Sequence, residues 1–123
     1  MVEISVLVVD DDFLIRLDLV DYLQTEGFTV FEAGDADAAI AILEANPAIH
    51  ILLTDVDMPG SMDGLKLSAA VRNRWPPVRI VVTSGHRMVV ATALPEGSVF
   101  FSKPYAPETL ARSLRDLVIV PDE

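Results

Sequence analysis

Residues 4–12 read Ile-Ser-Val-Leu-Val-Val-Asp-Asp-Asp, an apolar run that ends in three consecutive aspartates. The stretch 6–9 is apolar throughout, which is typical of a strand covered on both faces. Later apolar runs also lead to reactive side chains: residues 49–53 to Asp55, residues 79–82 to Thr83, and residues 99–101 to Lys103. If these runs are neighbouring parallel strands, their polar ends meet at the edge where such sheets bind ligands.

Segments with helical periodicity alternate with the apolar runs. The predicted strands cover residues 6–9, 28–32, 49–54, 79–83 and 99–101. The predicted helices cover residues 13–26, the stretch from Asp35 to Asn46, the stretch after the loop 58–64, a weak helix at 88–93, and the stretch from Pro107. This alternation predicts an α/β domain with a doubly wound parallel sheet and helices on both faces.

The first predicted helix, residues 13–26, has an apolar and a polar face. Its pattern is interpreted as placing Leu14, Leu17 and Leu23 on one face, while Asp18 and Asp21 face away from it. Gly27 stands where such a helix ends.

Length and composition limit the class of protein. The chain has 123 residues, which suits one domain with one core, and it contains no cysteine, so disulfides are excluded. A net charge of −10 with only nine Lys and Arg argues against a nucleic-acid surface. No apolar run reaches the roughly 18 residues of a membrane span, and the N-terminus lacks a signal-peptide pattern. These features predict a soluble cytoplasmic protein.

The residues at the strand ends suit a metal ion and a phosphoryl group. Asp10, Asp11 and Asp55 would repel one another unless a cation lay among them. Mg²⁺ takes oxygen ligands of this kind. Lys103 could neutralise a phosphoryl oxygen and Thr83 could donate a hydrogen bond to another. An aspartate can also be the nucleophile and become an acyl phosphate.

Each of these residues has an ordinary explanation when taken singly. An aspartate after a strand is usually a turn former or a helix N-cap, and a lone lysine is usually a solvated surface charge. Suitable groups at four strand ends at once favour a common site.

The sequence resembles the receiver domain of two-component response regulators along its whole length. The resemblance rests on five motifs in their family order: Val8-Val9-Asp10-Asp11-Asp12, Leu53-Thr54-Asp55-Val56-Asp57-Met58-Pro59, Met62-Asp63-Gly64, Val82-Thr83-Ser84 and Lys103-Pro104-Tyr105. It implies a flavodoxin-like fold with the strand order 2-1-3-4-5.

The resemblance also implies a role for each residue of the site. Asp55 would be the phosphoacceptor, Asp10 and Asp11 the acidic pair that holds Mg²⁺, and the backbone carbonyl of Asp57 a further ligand. The remaining implied roles are these: Thr83 as the switch hydroxyl, Lys103 as the phosphate-binding amine, Phe100 as the switch aromatic, and Pro104 as a cis-proline.

The sequence departs from the family pattern in three places. Gly60-Ser61 lengthens the loop after Pro59 by one residue. The segment between Thr83 and Lys103 is slightly short, so we expect a short or frayed helix there. Asp57 adds a negative side chain two residues beyond the predicted phosphoacceptor, which is expected to alter the lifetime of the acyl phosphate.

Other classes fit the sequence less well. A haloacid-dehalogenase-type phosphatase also uses an Asp-x-Asp motif, such as Asp55-Val56-Asp57. It needs further acids on a later strand, whereas the acids after Lys103 in this chain fall on the predicted last helix or the tail. A calcium loop starting at Asp55 would place Lys66 at position twelve, where a bidentate glutamate is required. A pseudo-receiver that only binds a partner would be expected to lack key residues.

The resulting hypothesis is a stand-alone receiver domain, residues 1–123 without an effector domain. A histidine kinase or histidine phosphotransfer protein would donate a phosphoryl group to Asp55, with Mg²⁺ as cofactor. The protein would not be an enzyme beyond its own phosphorylation and dephosphorylation. We expect a monomer or weak homodimer that acts on a downstream protein.

Overall fold

The computed structural model describes residues 3–57, 63–85, 95 and 97–118. Within them, five strands form one parallel sheet: β1 (Ser5–Val9), β2 (Thr29–Ala33), β3 (Ile51–Asp55), β4 (Arg79–Ser84) and β5 (Val99–Ser102). The strand order is β2-β1-β3-β4-β5, which confirms the predicted fold. The strands lie within two residues of their predicted bounds.

Helices cover both faces of this sheet. The described helices are α1 (Phe13–Thr25), α2 (Ala36–Ala45), α3 (Gly64–Arg74) and α4 (Pro107–Val118). Alternate residues of each central strand point to opposite faces, so each face has its own core. On one face, Leu7, Leu52 and Ile80 pack with α2 and α3. On the other face, Val8 and Leu53 pack with α1 and α4.

Aspartates begin three of the helices. The side chain of Asp12 accepts hydrogen bonds from the backbone N–H groups of Leu14 and Ile15. Asp35 and Asp63 cap α2 and α3 in the same way. Such caps satisfy backbone donors that the first helical turn leaves without partners. They fix where each helix begins directly after a strand or loop.

The leucines of α1 that are buried differ from those that the sequence predicted. Leu23 is buried as expected, but Leu14 is 69% exposed and Leu17 is 46% exposed. The prediction that these three leucines form one face is therefore wrong, since only Leu23 lies on the buried side. Val20 and Leu23, near the end of the helix, make the buried contact. Gly27 follows the helix with a φ of +97°, as the glycine at this position predicted.

Some sequence predictions lie outside the described residues. They are the weak helix at 88–93 and the lengthened loop at 58–62. Within the part of the chain that the structure describes, no helix combines the length and apolar character of a membrane span.

Candidate phosphoryl and metal site

The parallel register brings the predicted site residues to one edge of the sheet. Asp10 follows the last residue of β1, and Asp55 is the last residue of β3. Thr83 pairs in register with Asp55 on the neighbouring strand β4. In-register residues of adjacent strands project to the same face, so the hydroxyl lies beside the carboxylate. Both residues are buried, and Asp10 is buried with them.

Three carboxylates and one amine converge at this edge. Oxygens of Asp10, Asp11 and Asp55 all lie within 4.8 Å of one another. Lys103 Nζ lies 3.4 Å from Asp55 Oδ1 and 3.9 Å from Asp10 Oδ2. The backbone N–H of Lys103 donates to the Ser84 carbonyl, which anchors the lysine beside β4.

Burial makes the charged state of these acids costly. The pKa of Asp55 is raised above its usual value, first by burial and then by the negative charge of Asp10, while Lys103 pulls it down. The pKa of Asp10 is raised mainly by burial as well. Removal from water therefore raises the pKa of these acids by more than the charge of Lys103 lowers it.

The donor set fits a small hard cation. Asp55 Oδ1 is buried, and its near neighbour Lys103 Nζ lies 3.4 Å away, the distance of an ion pair and long for a hydrogen bond. All the converging donors are carboxylate oxygens, and Asp11 is exposed, so an ion can reach them from solvent. This arrangement suits Mg²⁺, which binds through one or two carboxylates and keeps several waters.

The other predicted residues surround this cluster. Asp57 follows β3, and the Ser84 hydroxyl donates to its Oδ2 at 3.4 Å. Phe100 lies on β5, half-buried against the core on the α2 and α3 side. The Lys103–Pro104 peptide bond is cis, the form that the family resemblance implies. Tyr105 lies beside Lys103, and burial together with the charges of Asp10 and Asp55 raises its pKa.

Two residues of the site region were missed by sequence reasoning. Gly64 was quoted only as part of a motif, yet its N–H donates to the Val56 carbonyl and its backbone lies against the carbonyl of Asp55. Its position at the start of an apolar helix, behind an aspartate cap, was the available signal. Arg16 donates to the Asp10 carbonyl oxygen at 2.6 Å, and no local pattern pointed to it.

Comparisons with known proteins identify the family of this chain. The family model for the response regulator receiver domain matches residues 6–115. The chain is 34% identical over 114 residues to the C4-dicarboxylate transport transcriptional regulatory protein DctD of Rhizobium meliloti, covering 90% of this chain and 24% of that protein. It is 31% identical over 118 residues to the sensor kinase CckA of Brucella abortus, covering 93% of this chain and 12% of that protein.

Solved structures give the same class. A response regulator receiver protein from Sinorhizobium medicae superposes with a TM-score of 0.85 at 27% identity, covering 94% of each chain. The chain therefore belongs to the response regulator receiver domain family, whose members act in two-component phosphorelay signalling. It spans about a quarter or less of the length of the two curated relatives named above.

Replacing Gly64 with alanine should displace the backbone that carries Asp55. A Cβ at this position would lie 2.8 Å from Val56 Cα and against the Asp55 carbonyl oxygen. Because backbone atoms cannot move aside as a flexible side chain does, we expect a loss of about 1–3 kcal/mol, as for overpacked sites. Urea unfolding measures this loss. Gly85→Ala is the matched control, since a Cβ there meets nothing within 4 Å; equal effects of both substitutions would contradict the prediction.

Asp55→Asn should stabilise the metal-free protein at pH 7. Because burial raises the pKa of Asp55, the folded state binds more protons than the unfolded state, and this group's contribution falls as pH rises from the unfolded value of 3.8. Each unit of that elevation is worth about 1.4 kcal/mol. The advantage of the variant should be present at pH 7 and should disappear below pH 3.8.

Urea unfolding in EDTA at a series of pH values measures that difference. Asp18→Asn, on the exposed side of α1, is the control. A wild type more stable than Asp55→Asn at pH 7 would show that the attraction of Lys103 outweighs the cost of burial.

Proposed function

We propose that this domain accepts a phosphoryl group on Asp55 from a phosphohistidine of a histidine kinase or histidine phosphotransfer protein. The observation that carries the proposal is the convergence of three carboxylates within 4.8 Å of one another beside an amine 3.4 Å from Asp55. Phosphoryl transfer depends mainly on such positioning and charge neutralisation.

Asp55 is the nucleophile in this proposal. A carboxylate oxygen of Asp55 forms a bond to phosphorus while the phosphorus–nitrogen bond of the phosphohistidine breaks, and the imidazole leaves with the electron pair and takes up a proton. Oδ1 accepts no hydrogen bond from the described residues, so no such bond has to break before this oxygen bonds to phosphorus. The burial of Asp55 limits the access of water to the product.

The acidic pair supplies the metal site. Asp10 and Asp11, with Asp55 and the backbone carbonyl of Asp57, would hold Mg²⁺. The bound ion neutralises carboxylate and phosphoryl oxygens that would otherwise repel. This chain's residues hold the oxygens in place: the Asp12 N–H donates to Asp10 Oδ1 at 2.9 Å.

Lys103 and Thr83 bind the phosphoryl group once it is on Asp55. The lysine follows the negative charge from the carboxylate to the new phosphoryl oxygens, and the hydroxyl donates a hydrogen bond to another of them. Both residues belong to the β4–β5 side of the sheet, so their movement biases that side between two arrangements. Phe100 has no hydroxyl and responds through packing. To change the population ratio of the two arrangements from 1:99 to 99:1, phosphorylation must stabilise one over the other by about 5.5 kcal/mol.

The exposed end of α1 is the docking surface for the phosphodonor. Phe13, Leu14, Ile15 and Leu17 are exposed by 41–69%. Ile15 also lines an open pocket of about 370 Å³ together with Lys103, Pro104 and Tyr105. An apolar surface continuous with the phosphate-binding lysine suits a helix that presents a phosphohistidine to Asp55.

The domain acts in the cytoplasm, where phosphorylated kinases are available, and its output is contact with another protein or relay of the phosphoryl group. Its chemistry is limited to its own phosphorylation and the hydrolysis of its acyl phosphate.

Incubation with acetyl phosphate and Mg²⁺ tests the phosphoacceptor. Intact mass spectrometry should show one added phosphoryl group on the wild type and none on Asp55→Asn. Asp63→Asn, at the N-cap of α3, is a control that keeps Asp55 and should still be modified. No added mass on the wild type, or equal addition to Asp55→Asn, would refute the assignment.

The Leu14→Arg variant distinguishes docking of the phosphodonor protein from phosphorylation of Asp55 itself. The variant should be phosphorylated by acetyl phosphate at the wild-type rate, because a small donor needs no helix surface. Phosphotransfer from the phosphorylated histidine kinases of the same genome should fall by roughly tenfold or more, as for loss of an interface hot spot. Ala41→Arg, exposed on α2, is the control for added charge. Unchanged transfer to Leu14→Arg from every active kinase would exclude this surface.

A further inference from the structure

Arg16 joins α1 to the turn that carries the acidic pair. Its Nη1 donates to the Asp10 carbonyl oxygen at 2.6 Å, and its Nε donates to Glu32 Oε1 at 2.9 Å. Only 15% of its side chain is exposed. One planar guanidinium therefore bridges the end of β1, the end of β2 and the first turn of α1.

The guanidinium is confined on a further side. Gly34 lies so close that a Cβ there would be 3.2 Å from Arg16 Nη1. A planar fork held by two acceptors and a neighbouring backbone has little freedom to rotate. Arg16 therefore occupies a fixed place.

The bond from Arg16 fixes the peptide between Asp10 and Asp11. The backbone N–H of Asp10 donates to the Ala33 carbonyl, and Asp10 Oδ1 accepts from the Asp12 N–H. Arg16 adds a donor to the carbonyl oxygen of Asp10, so the N–H, the carbonyl oxygen and Oδ1 of this residue each have a hydrogen-bond partner, while Oδ2 lies 3.9 Å from Lys103 Nζ. The direction in which Asp11 leaves the strand is set by that peptide plane.

We propose that Arg16 is a positioning residue for the metal site. It acts through the Asp10–Asp11 peptide, holding the two carboxylates in the orientation that Mg²⁺ requires, and it touches neither the metal nor the phosphoryl group. The inference rests on the proposed function, since it assumes that the acidic cluster binds Mg²⁺.

The direction in which Mg²⁺ affinity changes when Arg16 is replaced distinguishes a positioning role from a purely electrostatic one. Arg16 carries a positive charge near a cation site, so removing that charge alone should tighten Mg²⁺ binding. Losing the orientation of two ligands should weaken it. Substitution of residues that orient metal ligands typically costs roughly 10–100-fold in metal affinity.

Calorimetric titration of EDTA-treated protein with MgCl₂ gives the test. Arg16→Met and Arg16→Lys should each bind Mg²⁺ roughly tenfold or more weakly than the wild type, because lysine keeps the charge but not the two-pronged contact. The control is Arg74→Met, which changes the net charge as Arg16→Met does and removes an ion pair of similar length, 2.8 Å to Glu44 on α2 against 2.9 Å from Arg16 to Glu32. It should bind Mg²⁺ like the wild type.

Urea unfolding of the same variants gives the second readout. If Arg16→Met is less stable but binds Mg²⁺ as tightly as the wild type, Arg16 is only structural and the proposal is wrong. Wild-type affinity in Arg16→Lys would also overturn it, since the fork would be dispensable. Should Arg16→Met fail to fold, Arg16→Lys decides. A wild type that binds no Mg²⁺ would instead refute the metal site of the proposed function.

Discussion

The parallel register of β3 between β1 and β4 fixes the position of the candidate site. Val9 pairs with Thr54, and Asp55 pairs with Thr83. Every residue of β3 is buried, so a shift by one position would turn its side chains to the opposite face and bury Asp55 among the leucines of the core. The two apolar cores prevent that shift. Lys103, which follows the edge strand β5, meets the acid only because this register holds.

Burying the carboxylates of the site lowers the folding stability of the domain. Burial raises the pKa of both Asp10 and Asp55, and their charges oppose each other. A pair of asparagines would pack at lower cost, but their neutral amides would be weaker ligands for a divalent cation and could not form the proposed acyl phosphate. The acids are tolerated because the strands and helices around them are well packed, which is the usual exchange between stability and function at such sites.

The sequence predicted those parts of the structure that depend on short-range patterns. Apolar runs ending in Asp55 and Lys103 identified the strands and their common edge, and Asp35 marked the start of α2. Contacts between distant residues were not predictable: Arg16 meets Glu32 from 16 residues away. The periodicity of α1 identified its apolar leucines, but it could not distinguish a face that packs on the sheet from one left to solvent, as at Leu14.

The exposed apolar end of α1 has a consequence for how copies of this chain behave in solution. Two molecules approaching through that surface each carry a net charge of −10. Their repulsion extends over about 8 Å at physiological salt and over a shorter range as salt is added. High salt, or a pH near the isoelectric point of about 4.4, therefore removes the barrier to self-association. The excess of acidic residues thus opposes self-association through the exposed apolar end of α1.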